Sequence, residues 1–122
     1  PKMEIVKSRQ NKASGASVLF NTKDNDGKTP AHHAAENGHA DSLRVVHNGE
    51  GNLSAVDESG CTPCHYAAMN GHECCIGVIV DVRADYRSKN AFGFTPLRLA
   101  LRNHHASCAA FIRASIRRAD SG

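Results

Sequence analysis

The stretch "GKTPAHHAAENGH", Gly27 to His39, gathers His32, His33, His39 and Glu36 within a few helical turns. Such side chains can hold metals or move protons. Which role they play depends on whether the stretch occurs once. It recurs as "GCTPCHYAAMNGH", Gly60 to His72, and as "GFTPLRLALRNHH", Gly93 to His105. Thr29, Thr62 and Thr95 stand 33 residues apart, as do Pro30, Pro63 and Pro96. A fixed period of this size marks a stacked-repeat architecture. A histidine that recurs in register is a structural part before it is a chemical one.

The second copy shows how a unit is built. "DESG", Asp57 to Gly60, is a turn signal, and Gly60 reaches positive φ at little cost. Thr62 before Pro63 reads as an N-cap followed by proline at the first helical position. "PCHYAAMN" then gives a short helix, ended by Gly71. Ala67 and Ala68 are small enough to let neighbouring helices approach. "HECCIGVIVDV", His72 to Val82, gives a second helix with Cys75, Ile76, Ile79 and Val80 on its apolar face. The first unit repeats the pattern with Leu43 and Val46, the third with Cys108, Phe111 and Ile112. Helices this short are unstable alone in water and need a neighbour to stack on.

Bulk properties agree with a small stacked array. The chain has 122 residues, 40% of them apolar, and no tryptophan. One large central core would be thinly supplied, whereas each repeat buries only a small face. No run approaches the length of a membrane span. The start, "PKMEIVKSRQNK", lacks the apolar centre of a secretory signal. Five cysteines, Cys61, Cys64, Cys74, Cys75 and Cys108, are an odd number. Reduced thiols in the cytoplasm or nucleus are the simplest account. The net charge is +3, with a small basic tip at Arg113, Arg117 and Arg118.

The motifs "TPAHHAA", "TPCHYAA" and "TPLRLAL" resemble the ankyrin-repeat signature T-P-L-H-x-A at its period of 33. The resemblance covers Asp24 to about Arg118. It implies an all-α repeat solenoid with short β-hairpin connections, a stack of helix-turn-helix units. The units are expected at 24–56, 57–89 and 90–122, the last with a basic C-terminal helix. Residues 1–23 form a partial N-terminal repeat or cap, with "MEIVK", Met3 to Lys7, as the second-helix segment of an incomplete unit. The resemblance gives His32 and His65 the motif role of tying a unit to the adjacent hairpin. Arg98 takes that place in the third unit and is expected to serve it imperfectly. His39, His72 and His105 are the second recurring histidine, and His33, His47 and His104 have no family role.

Several positions depart from the family pattern. Ala31 and Cys64 replace its leucine, which only Leu97 keeps. Truncating a buried leucine costs about 2–5 kcal/mol when the surroundings do not relax. His47 falls where a buried leucine is expected, so it would need a partner or solvent. Glu50 and Arg83 stand where a helix-terminating glycine is usual, with Gly49 one residue early as relief for the first. A non-glycine in the left-handed region costs about 1–2 kcal/mol. For Arg83, pairing with Asp81 or Asp85 would offset part of that.

Rival chemistries are weaker. "CTPCH", Cys61 to His65, has the spacing of covalent haem attachment, but it lies across the repeat's own cap. Cys61, Cys64, Cys74 and Cys75, with His65 or His72, supply zinc-binding atoms. Cys74 and Cys75, however, point about 100° apart on one helix. Gly27, Gly60 and Gly93 are turn glycines rather than a phosphate-binding cluster. Lys2, Lys7, Arg9 and Lys12 at one end, and the arginines at the other, are too far apart for one nucleic-acid stripe. No catalytic residue, cofactor or metal is therefore expected.

The reading is a non-catalytic protein-interaction module, an adaptor, scaffold or inhibitor, monomeric and binding a protein partner through a concave face. A structural zinc-binding or nucleic-acid-associated repeat domain is one alternative, and a spacer from a longer solenoid is another. The resemblance places contact positions at Asn25, Asp26, Lys28, Glu36 and Asn37 in the first unit. In the second they are Glu58, Ser59, Cys61, Met69 and Asn70, with Cys61 expected to be exposed. In the third they are Ala91, Phe92, Phe94, Arg102 and Asn103.

Overall fold

A computed structural model describes residues 19–121. The expected segment Met3 to Lys7 lies outside the described residues. Each unit folds as a pair of helices joined by a short turn. The first unit has α1 (Pro30–Glu36) and α2 (Ala40–Asn48), and the second has α3 (Pro63–Asn70) and α4 (Glu73–Asp81). The third has α5 (Pro96–Arg102) and α6 (Ala106–Ser121). The first helices α1, α3 and α5 pack side by side in one row, and α2, α4 and α6 form a second row behind them.

Alanines explain how the rows close. Ala31, Ala34, Ala35, Ala67, Ala68 and Ala100 are all buried where the first helices meet. The larger side chains Leu43, Ile76, Ile79 and Ile112 fill the space between the two rows. Ala31 and Cys64, in the place of the family's leucine, are fully buried. The smaller residues leave no exposed gap there, because the helices lie close.

Each first helix begins at its threonine. In α1 the His32 backbone N–H bonds back to the Thr29 hydroxyl, and the His32 ring accepts from the Thr29 backbone N–H at 3.0 Å. Thr62 and His65 form the same reciprocal cap on α3, at 2.9 Å. On α5 only half of it remains: Thr95 Oγ1 accepts from the Arg98 N–H at 3.1 Å.

The ends also repeat. Gly38 and Gly71 have φ of 79° and 78°, and the following N–H groups of His39 and His72 return to Ala34 and Ala67, each at 2.8 Å. This is the bonding of a left-handed helix terminus. His104 takes the same conformation at φ 64°, in the place of those glycines. Glu50 and Arg83 do so after α2 and α4, at 69° and 63°. Gly49 gives no relief to Glu50. It keeps φ at −88° and is pinned by Phe20, whose ring would meet an added Cβ at 2.2 Å.

Two expectations about these ends are corrected. His47 is exposed rather than buried, because Leu43 and Val46 already supply the inward face of α2. Arg83 pairs with neither expected aspartate. Asp81 faces Arg44 at 3.7 Å, and Asp85 is taken by Ser88 and the Arg87 N–H. With nothing offsetting the left-handed strain, Arg83→Gly is expected to raise stability by about 1 kcal/mol, net of glycine's larger unfolded-state entropy. A urea midpoint that stays put or falls would contradict this.

Tight turns stand where short β-hairpins were expected, and no strand forms among the described residues. Each turn is wound around one side chain. Asp24 Oδ1 accepts from the N–H groups of Asp26 and Lys28, both at 2.9 Å. Asp57 does the same for Ser59 and Cys61, and Asn90 for Phe92 and Phe94. Successive turns are joined by single backbone bonds, Glu58 N–H to Asp26 C=O at 3.1 Å and Ala91 N–H to Ser59 C=O at 2.9 Å. One bond per junction is too few for a ladder.

Candidate functional site

The row of turns and first helices presents one continuous face, and its inner wall is set by the two motif histidines. Because the ring nitrogen nearer the backbone accepts from a threonine N–H, the other nitrogen carries the proton. His32 Nε2 donates to Cys61 C=O at 2.8 Å, and His65 Nε2 to Phe94 C=O at 2.9 Å. Burial pushes both imidazoles below their usual pKa, against the raising effect of those carbonyls. All their polar atoms are committed to holding one unit to the next. Arg98 does not imitate them. Its side chain is exposed, and among the described residues no further turn follows for it to reach.

The second recurring histidine has a different task. His72 Nε2 bonds Glu36 C=O at 3.0 Å, and its ring lies over Gly38, where an added Cβ would sit 2.8 Å away. The ring of His105 covers Gly71 in the same way, at 2.7 Å. His39 is exposed. His33 is also exposed and pairs with Asp24 at 2.8 Å. That bond, with the N–H groups of the turn, holds the Asp24 carboxyl below its ordinary pKa; the Lys28 N–H is the largest influence.

Of the contact positions taken from the resemblance, Asn25, Asp26 and Asn37 are exposed in the first unit. Lys28 and Glu36 are half-buried and bond each other at 3.3 Å. Glu58 and Asn70 are exposed in the second, and Ser59 and Met69 half-buried. In the third, Ala91, Phe92, Arg102 and Asn103 are exposed and Phe94 is half-buried. The Phe92 ring is 71% exposed, and the Arg102 guanidinium lies 4.9 Å from the centre of the Phe94 ring. Two of the asparagines are also ties: Asn70 donates to Glu36 C=O and Asn103 to Met69 C=O, each at 3.0 Å.

Cys61 overturns the expectation of an exposed thiol. It is only 4% exposed, with Asn90 Nδ2 bonded to its sulfur at 3.3 Å, and burial pushes its pKa up. The turn of the third unit covers it, which a reading of one unit at a time does not see. Cys74 is the exposed cysteine instead. The zinc alternative fares no better. Cys64 is fully buried, Cys74 faces outward, and both nitrogens of His65 are occupied. No three such side chains converge among the described residues.

One member of this face went unremarked in the sequence. Tyr66 donates its hydroxyl to Asp57, and its ring meets His32 edge-on with centres 5.8 Å apart. Lys28 lies over the same ring at 4.6 Å. The carboxyl of Asp57 resists burial and stays below its usual pKa through the bonds from Tyr66, Cys61 and Ser59. The signal available was the recurrence of Asp24, Asp57 and Asn90 at the repeat period. Tyr66, which occurs once in that register, gave none.

The sequence model for ankyrin repeats in three copies matches residues 3–90 and again residues 45–120. The chain belongs to the ankyrin-repeat family. Ankyrin repeats are generally protein–protein interaction modules and typically non-catalytic. A search of curated proteins returned no significant match. Among the described residues, no helix of this ankyrin array is long and apolar enough to cross a membrane.

Proposed function

We propose that this chain is a non-catalytic binding module, an adaptor, scaffold or inhibitor, that takes a protein partner on its turn and first-helix face. The observation that carries this is Phe92, an aromatic ring 71% exposed at a turn tip. Phe94, under Arg102, and half-buried Met69 extend the apolar end of the same face. Asp26, Glu36 and Glu58 make its other end acidic. The expected partner therefore offers an apolar side chain to Phe92 and basic groups to the acidic end. Five unpaired cysteines suit a reducing compartment, cytoplasm or nucleus. The module is taken to act as a monomer.

The test compares wild type with Phe92→Ala and Phe94→Ala in partner capture from cytosol, followed by affinity and urea titration. Anchoring predicts at least a tenfold loss of affinity, about 1.4 kcal/mol, in one variant whose urea midpoint is unchanged. Stability lost with binding intact in the folded fraction would move the rings into the core and sink the proposal.

A second reading, repeats that belong to a longer stack, is favoured by the opposite edge. Val45 on α2 is 57% exposed, while Val78, its equivalent in the second unit, which has a unit on either side, is 2% exposed. A preceding unit would cover Val45 likewise, and the family match begins at residue 3. If residues 1–18 supply that partial unit, their removal lowers the urea midpoint. An unchanged midpoint would refute it.

A further inference from the structure

Two features that stand apart in the sequence, Arg83 and the basic tip, meet on the opposite side of the array. The loop after α4 and the outer part of α6 enclose a cleft of about 700 Å³, lined by Val80, Arg83, Tyr86, Ser115, Arg118 and Ala119. From this geometry we propose that the cleft is an anion-binding site, selective for a phosphate monoester held between Arg83 and Arg118.

Its walls are fixed. The Tyr86 hydroxyl donates to Ser115 C=O at 3.2 Å, tying the loop to α6. Ser115 Oγ donates to Phe111 C=O at 2.9 Å and receives Arg118 at 3.5 Å. That contact orients the Arg118 guanidinium and uses one donor of its five. Arg83 is exposed, and among the described residues its guanidinium has no acceptor. The nearby carboxylates are already engaged: Asp81 with Arg44, Asp85 with Ser88, and Asp120 with Arg87 at 3.2 Å. Two guanidiniums with donors to spare thus share one cleft, and no carboxylate is among the described residues that line it. Guanidinium groups bind phosphate oxygens through paired, charge-assisted hydrogen bonds. Val80, Tyr86 and Ala119 add an apolar side that suits the organic part of an ester.

The left-handed backbone strengthens the argument. Glycine would relieve the strain at position 83, yet the chain carries an arginine there, one of the residues that line the cleft. Residues held in costly conformations are a pointer to function when a site surrounds them.

The experiment titrates the whole chain with inorganic phosphate and with phenyl phosphate at pH 7.5 and constant ionic strength, read by amide chemical shifts. The expected result is saturable binding of both, tighter for phenyl phosphate, with shifts centred on Tyr86, Ser115 and Ala119. Arg83→Gly should bind at least tenfold more weakly while remaining as stable as wild type or more so. Arg118→Gln should lose affinity by a similar factor. No saturable binding by wild type, or unchanged affinity in Arg83→Gly, would overturn the proposal. Both outcomes are independent of Phe92 and of the partner face.

Discussion

His65→Ala is expected to destabilise the array by about 3 kcal/mol or more, enough to unfold much of a stack this small. The ring is fully buried between two units. Its removal strips the Thr62 N–H of its acceptor and the Phe94 C=O of its donor, and leaves a cavity where the imidazole stood. Each buried polar group left unpaired costs about 1–3 kcal/mol, and the cavity adds to that. Arg98→Ala is the internal control. It changes the equivalent position of the third unit, where the side chain is exposed, and should shift stability by no more than about 0.5 kcal/mol. Urea titration of both variants decides the matter. Equal, small losses would show that the histidine ties contribute nothing beyond filling space.

Acid should loosen the same junctions before it titrates the carboxylates. His32 and His65 have folded pKa values below that of a free imidazole, chiefly through burial. Their unfolded forms titrate near pH 6.5. Above that pH both states are neutral and the full stability is present. As pH falls through about 6.5 the unfolded chain takes up protons that the folded chain refuses, so stability declines. The decline continues until the folded pKa is reached, at about 1.4 kcal/mol for each unit of depression at each ring. Asp24, Asp57 and Asp85 are depressed too, so their contribution disappears only in a lower window, as pH falls below their usual range. Urea midpoints measured from pH 8 to pH 2 should therefore fall in two stages, the first between about pH 7 and 5 and the second below about pH 4. A midpoint flat between pH 7 and 5 would remove the histidines from the account.

The period of Thr29, Thr62 and Thr95 made the helices, caps and stacking order legible, because each local signal was repeated with the same neighbours. Arg83 in the left-handed region was legible for the same reason: a family glycine was missing at a position whose backbone is set by the fold. Cys61 and Arg98 were misjudged because their surroundings belong to other units. Cys61 is covered by Asn90, 29 residues on, and among the described residues no following turn stands before Arg98 as one stands before His32 and His65. His47 was misjudged differently, by trusting family register over the spacing of Leu43 and Val46. The cleft between Arg83 and Arg118 joins loop to helix across a unit boundary, and no spacing within a repeat points to it.

The ties that His32, His65, His72, Asn70 and Asn103 make between units share one property: their acceptors at Cys61, Phe94, Glu36 and Met69 are main-chain carbonyls. A carbonyl is the same atom whatever side chain its residue bears. Three of those residues, Phe94, Glu36 and Met69, are also contact positions of the proposed binding face. The side chains there can be exchanged one after another while the bonds that hold the stack keep their acceptors. Lost affinity for one partner, or new affinity for another, need not be bought with the integrity of the scaffold.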